Sequence, residues 1–221
     1  MKFFIYFLFF IFFSANLSYS KNIESIDLFN PKKQTPNAIY FDTLSQPDKF
    51  EKNNNLTRKT GSFEVAIGEL LYIKGTVTDA FGVPIEGVVI KIWQTNASGK
   101  YHSLLNPESV YLDPNFKMSG QSITNNLGEY EFVTIFPGYY KNRAPHIKML
   151  VSNEKFGQIK TEMYFKDHPK NNQDPYFLAY TPKSQSMLIA DVDTITVGTA
   201  EKGKLATFNI TMDGIHQYKG F

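Results

Sequence analysis

Cysteine is absent from all 221 residues. That absence excludes disulfides, Cys-ligated zinc, iron–sulfur clusters and a thiol nucleophile together. It also removes the attachment point of a lipoprotein anchor. An excess of one charge is lacking too. Twenty-three Lys and Arg stand against 21 Asp and Glu, a net charge of +2, so there is no broad electrostatic surface for nucleic acid. No P-loop, Rossmann glycine pattern, internal repeat or long 3.6-residue hydrophobic period occurs. What is there, 42% hydrophobic and 20% charged residues, is ordinary globular composition. It is not that of a disordered chain, a collagen or a coiled coil.

The apolar residues are unevenly placed. Phe3 to Phe13 form an almost purely apolar run behind the positive charge of Lys2. The run is too short to cross a bilayer, which takes about 20 residues. Ser18 and Ser20 occupy the −3 and −1 positions of a cut before Lys21. The pattern predicts a signal peptide over 1–20 and an exported chain, periplasmic or secreted. The alternative is an uncleaved N-terminal membrane anchor. Residues 21–60, rich in Asn, Lys, Pro and Ser, predict an extended, partly disordered leader over the domain surface.

From residue 61 to 221 short apolar runs alternate with Gly, Pro, Asn and Asp. Strands are predicted over Leu70–Thr78, Val88–Gln94, Gly128–Ile135, His146–Ser152, Ile159–Phe165 and Leu205–Met212. In the last, Ala206, Phe208, Ile210 and Met212 share one face. Many short strands joined by turns predict an all-β fold, a single antiparallel β-sandwich domain.

Four stretches carry residues suited to chemistry: Trp93–Ser103, Gly128–Tyr140, Arg143–Leu150 and Thr161–Phe165. Pro145 favours an extended residue before it, and a strand then starts at His146. On a strand, residues i and i+2 point to one face, about 7 Å apart. His146 and Lys148 therefore share a face, with Ile147 and Met149 on the other. Tyr101 and Tyr140 arrive from loops. Phenolate is a hard, anionic donor that favours Fe(III), and imidazole also suits iron. A tyrosine of ordinary pKa, about 10, ionises near neutral pH only with help of the kind a ferric charge supplies.

The ordered set GELLYIKGTVTDAFGVPIEGVVIKIWQTNASGKY, TNNLGEYEFVTIFPGYY, RAPHIKML and TEMYF resembles the intradiol ring-cleavage dioxygenases. It is closest in style to the protocatechuate 3,4-dioxygenase branch. The resemblance spans Gly68 to Phe165 and keeps motif order and spacing. It implies a β-sandwich holding a non-haem Fe(III) through two tyrosines and two histidines. It also implies a small aromatic diol and dioxygen as substrates, a muconate-type diacid as product, and relatives that often form homo-oligomers. By motif, the metal ligands are Tyr101, the displaceable Tyr140 and His146, and the arginine that supports the substrate is Arg143. Tyr140 and Arg143 are then the catalytic residues.

Two positions depart from the family pattern. The second histidine falls on Lys148, and an ammonium has no lone pair to give. Glu162 stands where active relatives often carry Gln; it is suited either to replace the lost donor or to pair with Lys148. Set beside these roles, Tyr101 and Tyr140 also suit the rim of a sandwich, His146 a hydrogen-bonded structural position and Arg143 a surface ion pair. Trp93 reads as a core anchor and Tyr139 as a packing neighbour. His102, His168 and His216 read as surface residues. Three functions remain open on the sequence: a ferric dioxygenase, a binding module of the same fold with a decayed metal centre, and a transthyretin-like exported domain unrelated to iron.

Overall fold

The computed structural model describes residues 30–40, 45–101, 112–197 and 201–214. The expected signal segment 1–20, His102 and His216 lie outside the described residues.

Strand β1 (Leu70–Thr78) has the bounds that its hydrophobic alternation predicts. Leu71, Ile73 and Val77 are buried, and exposed or half-buried residues alternate with them. Also expected were β2 (Val89–Trp93), β4 (Glu129–Ile135), β5 (His146–Asn153) and β6 (Gly157–Phe165), observed within two residues of the predicted limits. The sequence pattern missed β3 (Ser119–Ile123) and β7 (Ile189–Val197). The single strand expected at Leu205–Met212 is two, β8 (Glu201–Thr207) and β9 (Ile210–Thr211). At the break, Phe208 N–H donates to Lys74 O at 2.9 Å and the Asn209 side chain accepts from Thr76 N–H at 3.0 Å. A side-chain amide thus stands in for one rung of the ladder. The alternation survives it, because Ala206, Phe208, Ile210 and Met212 are all buried.

The strands follow one hydrogen-bonded path, β3-β2-β5-β6-β7-β8-β1-β4, with β9 beside β1. The path is weakest at β6–β7, where only Tyr164↔Ile189 and Phe165↔Ala190 pair. Ile92, Ile147, Met149 and Met163 from one half pack with Ile73, Phe132, Ala206 and Phe208 from the other in a single apolar cluster. The two ends of the path are clipped together by residues 53–56. Asn53 O accepts from Gln121 N–H of β3 at 3.0 Å, and Asn54 O accepts from Val133 N–H of β4 at 2.9 Å. Gly120 permits the approach, since a Cβ there would lie 2.7 Å from Asn53 O.

The expected pairing needs correcting. The fold is mostly β with a few short helical turns, and the pairs β1–β8, β1–β9 and β6–β7 are parallel. Parallel neighbours require a crossover between strands. Between β6 and β7 it is a 3-10 turn (Pro169–Gln173) and helices α1 (Pro175–Leu178) and α2 (Pro182–Leu188). Each α-helix begins with a proline behind a capping oxygen, Asp174 for α1 and Thr181 for α2. The crossover builds a second apolar cluster of Ala144, Tyr164, Phe177, Tyr180 and Leu188. Residues 30–40 run along the domain: Thr35 N–H donates to Thr211 O at 2.9 Å, Ala38 N–H to Lys160 O at 2.7 Å and Ile39 N–H to the Tyr180 hydroxyl at 2.8 Å.

Candidate functional site

The antiparallel β5–β6 ladder sets His146 opposite Tyr164 and Lys148 opposite Glu162. The i, i+2 rule holds: Ile147 and Met149 enter the main apolar cluster, leaving these four side chains on the other face.

The tyrosines come from two turns packed glycine against glycine. Asn96 Oδ1 accepts from Ser98 and Lys100 N–H, both at 3.0 Å, and folds the loop after β2. Gly99 takes φ 73° there. Asn96 O accepts from Gly138 N–H at 3.0 Å, and Thr95 Oγ1 donates to Gly138 O at 2.7 Å. A Cβ on Gly138 would meet Gly99 N at 2.4 Å, and one on Gly99 would meet Tyr139 O at 2.0 Å, so neither position admits a side chain. The turns deliver Tyr101 and Tyr140 edge to face, with ring centroids 5.2 Å apart. Beyond Tyr140 the chain turns back through Lys141 at φ 54°, closed by Arg143 N–H on Tyr140 O at 2.9 Å.

His146 is buried, and its Nδ1 donates to Ala144 O at 2.7 Å. That bond fixes the proton on Nδ1 and leaves the Nε2 lone pair facing the site. Nε2 lies 3.4 Å from the Tyr101 hydroxyl and 3.9 Å from Glu162 Oε1. Burial lowers the His146 pKa below its ordinary value; Arg143 and Lys148 add to the shift and Glu162 opposes it. The ring is therefore neutral, the form that ligates.

Arg143 is not a surface ion-pair residue. It is buried between two carboxylates: Nε donates to both oxygens of Asp174, at 3.0 and 2.9 Å, and an NH2 group donates to Glu162 Oε2 at 2.7 Å and the Tyr164 hydroxyl at 2.6 Å. Burial works against its charge, but Glu162, Tyr164 and Asp174 outweigh burial and raise its pKa. Its guanidinium carbon sits 4.6 Å from the Tyr176 ring centroid, and Tyr176 stacks on Tyr40. Tyr164 stays a phenol, because burial and the adjacent Glu162 raise its pKa; its hydroxyl donates to Glu162 Oε2 at 2.8 Å. Glu162 Oε1, equally buried, has no hydrogen-bond partner among the described residues. The Lys148 ammonium donates to Ser45 Oγ at 2.7 Å and lies 5.3 Å from the Tyr101 ring centroid.

Of the residues singled out in the sequence, Tyr101 and His146 thus approach each other directly, Tyr140 packs against Tyr101, and Arg143 is tied to Glu162 and Asp174. Trp93 is buried, as a core anchor should be. Tyr139 is 61% exposed instead of packed, its ring under the Lys170 ammonium. His168 is half-buried and caps the 3-10 turn, accepting from Lys170 N–H. Sequence reasoning missed Asp174, Tyr164 and Ser45. Asp174-Pro175 is a helix-start signature that could have marked the first, and Tyr164 lies two residues from Glu162 on the same strand face. Among the described residues no three His, Cys, Asp or Glu side chains converge; the convergence here includes tyrosine. A cavity of about 770 Å³ opens beside Tyr101, bounded by Ser45, Trp93, Gln94, Phe116 and Lys117.

A family model described as Dioxygenase matches residues 40–214. The chain belongs to the intradiol ring-cleavage dioxygenase family. Within the family it is similar to the protocatechuate 3,4-dioxygenase beta chain of Burkholderia cepacia, 29% identical over 181 residues that cover 78% of this chain and 76% of that one. A catechol 1,2-dioxygenase 1 of Acinetobacter lwoffii is 28% identical over 168 residues, covering 66% of this chain and 51% of the relative. The solved dioxygenase domain of a carbohydrate-binding fusion from Streptomyces sp. SirexAA-E superposes with a TM-score of 0.61 at 23% identity, over 82% of this chain and 99% of that one. At that identity the likeness carries the fold alone.

Proposed function

We propose that this chain binds a ferric ion between Tyr101, Tyr140 and His146 and opens a catechol-type ring with dioxygen. The observation that carries the reading is the 3.4 Å approach of the Tyr101 hydroxyl to an unprotonated His146 Nε2. The donors fit the ion: phenolic oxygen and imidazole suit iron, and the partnerless Glu162 Oε1 faces the same point. When bound, the ion supplies Lewis-acid activation and the positive charge that keeps phenols ionised near neutral pH.

The chain's own groups do the rest. His146 keeps its proton on Nδ1, where Ala144 O holds it, so Nε2 stays a donor atom throughout. The Lys148 ammonium, hydrogen-bonded to Ser45 Oγ, lies beside the Tyr101 ring. Tyr140, half-buried on its turn, would be the group that takes a substrate hydroxyl proton on its phenolic oxygen. Arg143, held by Asp174 and Glu162, fixes the Glu162 carboxylate beside His146. The cavity beside Tyr101 has the size and the Trp93 and Phe116 surfaces for a small aromatic diol. Both atoms of dioxygen enter the diacid product, so no reductant is needed.

The reading extends to the rest of the chain. The apolar cluster shared by the two halves of the sheet path supports reading them as two layers joined at β6–β7. Residues 1–20 direct export, so the substrate is met outside the cytoplasm. The test is oxygen uptake by iron-loaded protein with catechol, protocatechuate and hydroxyquinol. The expected result is consumption of one dioxygen per ring opened, abolished in Tyr101→Phe. Iron-loaded protein that consumes no oxygen with any diol refutes the enzymatic reading. One observation favours a second reading, a binding module of the same fold. Arg143 is paired with the Glu162 and Asp174 carboxylates and Lys148 stands opposite Glu162 as a second cation, so the negative charge of the site is balanced without a metal. Diol binding by metal-free protein, without turnover after iron loading, supports that alternative.

A further inference from the structure

We infer that Glu162 is the fourth protein ligand, taking the place of the imidazole that Lys148 has removed. The ferric ion is then held by Tyr101, Tyr140, His146 and Glu162. The inference rests on the ferric reading above and goes beyond it in naming an anionic donor set.

The carboxylate is already oriented for this. Its Oε2 is fixed by the Arg143 guanidinium at 2.7 Å and the Tyr164 hydroxyl at 2.8 Å, which leaves Oε1 turned inward. Ligating carboxylates are held by outer hydrogen bonds in this way. Oε1 is buried and has no hydrogen-bond partner among the described residues, an expensive condition for an anionic acceptor unless something else occupies it. It lies 3.9 Å from His146 Nε2, which lies 3.4 Å from the Tyr101 hydroxyl. Two donors that share an ion about 2.1 Å from each stand at most about 4.2 Å apart. Both separations fall inside that limit.

Register explains why this residue can substitute. Glu162 is the direct cross-strand partner of Lys148. A side chain from β6 therefore starts beside the one from β5 and can reach the same space. The Lys148 ammonium, meanwhile, is drawn to Ser45. The exchange also balances charge: lysine brings one positive unit to this face and glutamate one negative unit, so the face as a whole is unchanged.

The test uses the whole protein, stripped of metal and titrated with ferric iron. In wild-type protein carrying 13C-glutamate, iron addition should shift a carboxylate band in the infrared difference spectrum. That shift should be missing in Glu162→Gln, which keeps the shape but not the charge. Ferric affinity of Glu162→Gln, read from the visible absorption, should fall by at least about tenfold, with far-ultraviolet circular dichroism unchanged. Wild-type protein that takes up iron with no carboxylate shift overturns the inference and leaves the ferric reading standing. Undiminished affinity in a folded Glu162→Gln does the same. Should that variant fail to fold, the infrared spectrum of the wild type decides alone. Failure of the wild type to take up iron overturns both.

Discussion

Replacing Asp174 by alanine should be among the most damaging single changes in this domain. The Asp174 carboxylate is fully buried and makes five hydrogen bonds. It takes Arg143 Nε on both oxygens, Ala144 N–H at 3.0 Å, and Tyr176 and Phe177 N–H at 2.9 and 3.1 Å. Removing one partner of a buried ion pair costs about 3–5 kcal/mol, because the other charge stays buried. Here Glu162 still faces Arg143, which favours the lower end. Loss of the α1 cap adds about 1 kcal/mol. The sum, about 4–5 kcal/mol, is a large part of a stability that is typically about 5–15 kcal/mol. Each kcal/mol shifts the melting temperature of a domain this size by roughly 2–4 °C, so a fall of roughly 8–20 °C is expected. Asp174→Asn keeps the cap through one oxygen but turns amide hydrogens toward Arg143 and Ala144 N–H. It should recover only the capping part, about 1 kcal/mol. Urea denaturation of the three proteins at pH 7 measures this. An Asp174→Ala unfolding free energy within about 1 kcal/mol of wild type would refute the claim that Arg143 depends on this carboxylate.

Gly138→Ala should separate the two tyrosine turns, since the added carbon would meet Gly99 N at 2.4 Å and Ala97 O at 2.5 Å. A destabilisation of about 1–3 kcal/mol and a weakened ferric absorption band are expected from denaturation and optical titration. The lowered pKa of His146 makes stability pH-dependent. Below about 6.5 the unfolded imidazole takes up a proton that the buried ring refuses, so stability falls as pH drops from 7 toward 5. His168, also lowered by burial, acts in the same sense. Denaturation curves across that range should show a smaller fall for His146→Gln than for wild type. Gly120→Val should push residues 53–56 off the β3 edge, because a side chain there meets Asn53 O and Leu56. Amide hydrogen exchange at Gln121 and Val133 should rise.

The legible part of the fold was the part whose hydrophobicity alternates. β1 could be read residue by residue because its buried face carries Leu71, Ile73 and Val77. β3 was hidden because Ser119-Gly120-Gln121-Ser122 has no apolar face to reveal. In β7, Asp191 and Asp193 break the strand-forming run. Parallel pairing of β1 with β8 joins Leu71 to Lys204, and no local pattern encodes a partner so distant in sequence. The candidate site divides in the same way. The shared face of His146 and Lys148 follows from strand geometry, and the tyrosines were marked by their glycine turns. The closure of Asp174 on Arg143 and of Ser45 on Lys148, 31 and 103 positions apart, is set by the fold. That closure decides what Arg143 and Lys148 are free to do.

The central claim is best tested by one optical titration, in which metal-free protein is titrated with ferric iron and the visible spectrum recorded. Phenolate coordination by Tyr101 and Tyr140 predicts a broad charge-transfer band that saturates at one iron per chain and disappears in the Tyr101→Phe, Tyr140→Phe double variant. A wild-type protein that stays colourless through the titration, or a double variant that keeps the band, would contradict the account.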